Sequence, residues 1–304
     1  GYPDTVAAGS IAAGGTLGIL IPPSVTMIVY GIATETSIGR LFLAGVLPGL
    51  LLVGLFMAWS IWSTWCNTGL SVMSARRYSL REKLEILPRV IPFLLVILGV
   101  LYAMCGGIAT PSETAAVGAM LCLLMAVVIY RMWAPKSLWV VLRDSTRKSV
   151  MILFIIGAAG VFSYMLSSLY ITQSIATWIS ALEVNRWVLM GAINVFLLVA
   201  GFFLPPVAVI LMAAPILLPI TLAADFDPYW FAVILTINME IGLISPPVGL
   251  NLYVINSIAP DIRLKTILTG SLPYVGCMVL AILILCVFPG IATWLPDLVM
   301  GSAR

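Results

Sequence analysis

The sequence predicts an all-α polytopic membrane protein built on an inverted repeat, with broken transmembrane helices and a re-entrant helical hairpin. Three observations predict it. The 304 residues are 62% hydrophobic and only 9% charged, with a mean hydropathy of +1.15, whereas a soluble domain carries about a quarter charged residues. Apolar stretches of about 20 residues, enough to cross about 30 Å of hydrocarbon, recur along the chain. Two of them are interrupted by a double proline in the same way, in LGILIPPSVTMIVYG from Leu17 and IGLISPPVGLNLYVI from Ile241.

The first element, 5–33, is a membrane-length helix broken at Pro22 and Pro23. Spans at 41–66, 91–110, 113–131 and 149–170 follow. SLREKLEIL (79–87) and SLWVVLRDSTRK (137–148) read either as amphipathic helices at the membrane surface or as solvated connectors. Two shorter arms, 187–200 and 207–222, flank GFFLPP. A second broken helix, 229–258, and a span at 267–290 complete the set.

Basic residues assign the sides. Arg76, Arg77, Arg81, Lys83 and Arg89 share one connection, Arg131, Lys136, Arg143, Arg147 and Lys148 the next, and Arg263 with Lys265 a third. The positive-inside rule makes all three cytoplasmic. The opposite loops carry Arg40 and Arg186 beside Glu35, Glu113, Glu183, Asp225 and Asp227. This is self-consistent only if 187–222 enters and leaves from the outer side. A re-entrant hairpin with its tip at Gly201 to Pro206 meets that condition, as do two tight spans. Glycine and paired prolines favour a tip at depth, where protein covers non-helical backbone.

Superimposing the double prolines places Gly18 on Gly242, Pro22 on Pro246 and Pro23 on Pro247. Further along, AGVLPG matches TGSLPY and places Gly45 on Gly270 and Pro48 on Pro273, within one residue of the same offset. Two separated anchors indicate an internal duplication. The copies run in opposite directions across the membrane, because 5–33 runs outward and 229–258 inward. The expected organisation is therefore the end of a first repeat at 1–66, a cytoplasmic amphipathic connector at 67–90 and a second repeat at 91–296. A second copy beginning near Ile91 has its counterpart upstream of Gly1, so three spans and a first hairpin are expected to precede it.

Several chemistries are excluded. There is no histidine, which removes the usual general base, Ser-His-Asp triads and HExxH zinc sites. Cys66, Cys105, Cys122, Cys277 and Cys286 are scattered through apolar segments without a CxxC pair and read as small buried hydrophobes. AAGSIAAGG (7–15) lacks the GK[ST] of a phosphate loop and reads as a surface for close helix packing. No basic stripe with interleaved aromatics suggests nucleic acid. No cofactor is expected.

The breaks carry the chemistry. Proline supplies no amide and disfavours helix in the residue before it, so carbonyls of the preceding turn lose their partners. Such oxygens, at the negative end of a helix dipole, suit a small hard cation such as Na⁺. The half-helix beyond the break begins with proline and offers free amides to an anion. Pro22, Ser24, Pro206, Pro247 and Asn251 are the expected substrate contacts. Glu240 is a carboxylate well inside a predicted span and by that position a functional candidate. With Asn238 and Asn251, it either tunes the cation site or holds the broken helix together.

At these residues the chain resembles the large membrane subunit, DctM-like, of tripartite ATP-independent periplasmic (TRAP) transporters. AAGGTLGILIPPS (12–24), GGIATPSETAAVGA (106–119), PILLPI (215–220) and NMEIGLISPPVGLNLYV (238–254) match its motifs in order. The resemblance implies an elevator-type, sodium-coupled importer of small organic acids in the bacterial inner membrane. Its implied partners are a small four-helix membrane subunit and a periplasmic solute-binding protein. It places sodium on backbone oxygens of Gly18, Ile21 and Pro23 in one half, and of Gly201, Gly242, Ser245 and Val248 in the other. Pro205 departs from the family, which commonly has an acidic residue there, and Ser245 stands where threonine is usual. A stand-alone divalent-anion/sodium symporter is the alternative, and neighbouring genes for a small membrane protein and a secreted binding protein discriminate against it.

Overall fold

The computed structural model describes residues 3–66, 80–171, 174, 177 and 185–301. Every regular element among them is helical. The expected connector at 67–90 falls outside the described residues as far as Ser79, as do Arg76, Arg77 and Glu183.

The first predicted broken helix is two helices. They are α1 (Asp4–Thr16), continued by a 3-10 turn (Leu17–Ile19), and α2 (Val25–Thr34). Next come α3 (Ile38–Cys66), α4 (Leu80–Cys105), α5 (Pro111–Val128) and α6 (Pro135–Ser168). The hairpin region forms α7 (Arg186–Phe203) and α8 (Pro206–Ala223). The second broken helix is α9 (Pro228–Ile244) and α10 (Leu250–Ile258), followed by α11 (Leu264–Val287) and α12 (Gly290–Met300). Six of these, α3, α5, α6, α7, α8 and α11, are long and apolar enough to cross a membrane.

Three differences from the sequence expectation have local causes. The stretch 137–148 is the opening of α6 rather than a separate surface helix, because no proline or glycine falls between Lys136 and Ile156 to stop it. Residues 80–87 begin α4, which continues through Pro88 and Pro92. Each hairpin arm is 18 residues long, with apolar helix running right up to the turn at Leu204 and Pro205. Both arms therefore reach span length, and a re-entrant hairpin and two tight spans both remain compatible with their lengths. The helix at Gly290–Met300 was not expected, since Pro289 and Pro296 punctuate it. It packs on α3, where the Arg40 guanidinium lies 3.6 Å from Asp297 and donates to the carbonyls of Met300 and Gly301.

The chain forms two compact units, Ser74–Ala158 and the remainder. In the smaller, α4 and α5 pack against each other through a turn in which Gly107 has φ +65°. Thr110 and Glu113 close a reciprocal cap at the start of α5, which satisfies two amides of its first turn.

In the larger unit α9 is the central element. All residues from Trp230 to Gly242 are buried, as expected of a helix apolar on every side. Asp227 caps it by accepting from the amides of Tyr229 and Trp230, each at 2.8 Å. It is packed by α7, α8 and α11, and also by α1, α2 and α3. Its first turn joins a stack of Trp230 on Phe226 at 5.2 Å, with Trp187 edge-on to Phe226 at 5.4 Å. Trp230 Nε1 donates to the Leu285 carbonyl at 2.8 Å.

α1 lies against α11 at a distance that only glycine allows. A methyl group on Gly9 would sit 2.1 Å from the Gly270 carbonyl oxygen, and one on Gly270 would sit 1.9 Å from that of Thr5. Within 7–15 these contacts give Gly9 the packing role read from the sequence, while Gly14 and Gly15 are exposed. Gly270→Ala is therefore expected to lower the stability of the detergent-solubilised protein by about 1–3 kcal/mol. Gly276→Ala on the same helix, where an added methyl meets nothing within 4 Å, is expected to be neutral. Equal thermal unfolding of the two variants would remove this account of the α1–α11 contact.

Candidate functional site

Both helices stop at the prolines, and both Pro22–Pro23 and Pro246–Pro247 peptide bonds are cis. In the first break Pro22 has no amide for the Gly18 carbonyl and Pro23 none for that of Ile19. The Ile19 oxygen is served instead by the Ser24 hydroxyl and by Thr26 Oγ1 at 2.5 Å. Ser24 also caps α2 by accepting from the Met27 amide at 3.3 Å. In the second break the Ile244 oxygen is served by Ser271 Oγ of α11 at 3.1 Å.

Other oxygens are left open. Among the described residues no hydrogen-bond donor reaches the carbonyl of Gly18, Ile21 or Pro23, nor that of Gly201, Gly242, Ser245 or Val248. These are the seven backbone positions singled out for sodium. Gly18, Gly201 and Gly242 lose the helical partner that the proline four residues on cannot supply, whereas Ile21, Pro23, Ser245 and Val248 lie in the non-helical stretches at the two breaks.

The four positions of the second half come together. Gly201, at the end of α7, packs backbone to backbone on α9: a methyl on Gly242 would sit 2.4 Å from the Gly201 carbonyl oxygen. Between hairpin tip and break lies a cavity of about 70 Å³ lined by residues including Gly201, Pro205, Gly242, Val248 and Gly249. Gly249 has φ +54°, and a side chain there would also meet the Ser245 oxygen at 3.0 Å, so glycine is required to turn the chain into α10. The first half differs. Gly18 is exposed, and a methyl on it meets nothing within 4 Å.

Of the expected substrate contacts, Pro206 and Pro247 stand at the starts of the segments beyond the hairpin turn and the second break, Pro247 exposed. Pro22 and Ser24 are buried, and the Ser24 hydroxyl is engaged inside the first break. Asn251, in the first turn of α10, lies against α1, its Nδ2 3.6 Å from where Gly15 would carry a methyl. Asn238 bridges α9 to the hairpin: its Nδ2 donates to Asn194 Oδ1 at 2.6 Å and to the Ile234 carbonyl at 2.9 Å. Glu240 is fully buried.

Sequence reasoning missed Asn194, Thr26 and Ser271. Asn194 was detectable as an amide inside an apolar arm. It also missed a third copy of the break pattern: GFFLPP repeats the Gly-x-x-x-Pro-Pro spacing of GILIPP and GLISPP. Pro205 accordingly denies an amide to Gly201 as Pro22 does to Gly18 and Pro246 to Gly242, which gives the proline at the hairpin tip a physical role.

Comparison with known proteins follows these residues. The sequence profile described as "Tripartite ATP-independent periplasmic transporter, DctM component" matches residues 1–291. The C4-dicarboxylate TRAP transporter large permease protein DctM of Pseudomonas aeruginosa is 39% identical over 297 residues, covering 98% of this chain and 69% of that protein. The sialic acid TRAP transporter large permease protein SiaM of Vibrio cholerae is 31% identical over 303 residues, covering 100% and 70%. The ectoine TRAP transporter large permease protein TeaC of Halomonas elongata is 30% identical over 301 residues, covering 98% and 69%.

The Asn194–Asn238 bridge fixes α7 against α9 near the Gly201–Gly242 contact. Amide bridges between helices in lipid couple by about 0.6–1.7 kcal/mol. A double-mutant cycle with Asn194→Ala and Asn238→Ala is expected to give a coupling in that range when unfolding is measured. Strict additivity would show that the bridge contributes nothing.

Proposed function

The chain belongs to the DctM-component family of tripartite ATP-independent periplasmic transporters and is a multi-pass protein of the bacterial inner membrane; we propose that it imports small organic acids, coupled to sodium, as the large permease subunit. The observation that carries this reading is the set of seven backbone oxygens without donors at the three Gly-x-x-x-Pro-Pro stretches. In hydrocarbon an unsatisfied backbone group costs several kcal/mol. A small cation bound among them recovers that energy, and the helix dipoles ending there add favourable field.

Sodium binding and substrate binding are coupled through the same backbone. A cation at the end of α9 orders the turn that leads into α10, and a cation at the end of the 3-10 turn orders the entry to α2. The amides at the starts of α2, α8 and α10 then present fixed partial positive charge to a carboxylate. Linkage makes the effect mutual, so bound anion raises sodium affinity by the same factor. Relatives are named for C4-dicarboxylate, sialic acid and ectoine. We assign this chain the first two as a class, small organic anions.

The permease works with a small four-helix membrane subunit and a periplasmic solute-binding protein that delivers the anion. The hairpin and broken helices carry cargo across as one block by an elevator motion. The Gly201–Gly242 contact supports such a block, because it joins hairpin to broken helix without side chains between them.

Two outcomes are expected. Uptake by the intact transporter in proteoliposomes requires an inward Na⁺ gradient, and undiminished uptake in Na⁺-free, proton-driven vesicles would overturn sodium coupling. Gly242→Ala drives a methyl against the Gly201 oxygen, a mismatch of about 1–3 kcal/mol. Sodium affinity should therefore fall about 5- to 150-fold, while Gly18→Ala, whose methyl meets no atom, stays within a few-fold of wild type. Equal sodium titrations for the two variants would remove the second site from this position.

A further inference from the structure

Glu240 is used by none of the contacts described so far. At 3.6 residues per turn it lies about 200° round α9 from both Asn238 and Gly242, so it points away from the hairpin seam. It is 0% exposed, and neither of its carboxyl oxygens has a hydrogen-bond partner. An ionised carboxylate in that position, with no donor and no counter-charge, is far too costly to bury. It must be neutralised by something bound to it.

The titratable groups on the elements around α9 do not supply that charge. Tyr30 of α2 donates to the Pro228 carbonyl, Tyr274 of α11 shares a hydrogen bond with Ser60, and Cys277 reaches the Leu55 carbonyl. Arg40 of α3 is occupied with Asp297 of α12 and the two carbonyls beyond it. Arg186 of α7 lies over the Trp187 ring, and α8 carries no titratable residue. Asp4 of α1, Tyr253 of α10 and Lys265 of α11 are exposed, Cys286 of α11 is half-buried, and Tyr229 of α9 itself lies beneath the Arg40 guanidinium. α9 also packs against the 3-10 turn and α2, the elements that frame the donor-less oxygens of Gly18 and Ile21.

We propose that Glu240 is a monovalent-cation site in its own right, separate from the carbonyl oxygens of the hairpin seam, and that its occupant, a proton or a sodium ion, belongs to the ion set bound during transport. This rests on the transporter reading above. The ligand chemistry is a single positive charge small enough to sit on a carboxylate in a closed core. Binding there neutralises the only acidic side chain in α9, leaving the seam to bind its own ion through neutral oxygens.

The test compares wild type with Glu240→Gln in the intact transporter, reconstituted with the partner subunits it requires. Sodium-to-substrate stoichiometry and the pH profile of uptake are measured together. If sodium is the occupant, the variant moves one Na⁺ fewer per substrate and keeps the wild-type pH profile. If a proton is the occupant, the stoichiometry is unchanged and the fall in wild-type uptake at alkaline pH, where the acid loses its proton, disappears in the variant. A variant that matches wild type in both measurements overturns the proposal. Should Glu240→Gln fail to fold, infrared spectroscopy of the wild type decides: the proposal requires a carboxyl signal that responds to Na⁺ or to pH, and one indifferent to both overturns it. Wild-type uptake independent of sodium would sink the transport reading itself, which an unaltered Glu240→Gln leaves standing.

Discussion

A backbone carbonyl inside hydrocarbon accepts a bond from its own helix, takes a donor from a neighbouring side chain, or is left for a ligand. Six prolines, in three pairs, sort the oxygens of this chain among those fates. At the two helix breaks a hydroxyl repairs one oxygen each: Ser24 and Thr26 reach Ile19, and Ser271 reaches Ile244. Among the described residues, the oxygens on either side of the repaired ones are left without donors. The distribution is selective, since hydroxyl groups hold the turn in shape while neighbouring oxygens stay available. A loosely packed kink would instead draw water or side chains to all of them.

Glycine determines where the open oxygens can meet. In helices a side chain normally keeps neighbouring backbones apart, and Gly201 with Gly242 removes that spacer at the hairpin seam. Gly9 with Gly270 does the same between α1 and α11, so the larger unit is drawn together along two glycine seams. One binds the broken helix α9 to the hairpin. The other binds α1 to α11. The repeat anchors Gly45 and Gly270 occupy related places beside their breaks: a methyl on Gly45 would sit 2.6 Å from the Leu20 oxygen, while Ser271, next to Gly270, holds the Ile244 oxygen. Leu20 and Ile244 each stand two residues before a double proline.

The sequence made much of this legible because proline and hydropathy act locally. Double prolines stop helices wherever they fall, and a long apolar run has few structures open to it in lipid. The breaks and most of the apolar elements could therefore be placed within a few residues, the starts of α4 and α6 excepted. Other features depend on what lies across the gap. Asn194 is one amide in an apolar arm, and only the position of Asn238 2.6 Å away gives it a partner. The opening of α6 was hidden for the opposite reason, since charged residues suggested a boundary where no proline or glycine ends the helix, and α4 runs on from Leu80 through Pro88 and Pro92, residues that locally argue for a stop. Pro205, a departure from the residue the resemblance expects, has the same spacing from Gly201 as the first prolines of the other two breaks have from their glycines.

In the sodium-coupled anion carrier proposed above, Glu240 and the seam divide the electrostatic work between two kinds of ligand. Carbonyl dipoles offer a cation partial charges, so a site made of them leaves a net positive charge once filled, which attracts the carboxylate arriving at the adjacent amides. A carboxylate ligand does the reverse: it cancels its ion and leaves no field to attract an anion. A full negative charge beside the substrate path would repel the cargo. Placing Glu240 about 200° round α9 from Gly242, fully buried, keeps that charge off the seam while its ion still contributes to closing the core. On this view the two sites answer to different constraints, one to attracting an anion and the other to burying an acid, and α9 can carry both because it packs against the hairpin and against the elements of the first break.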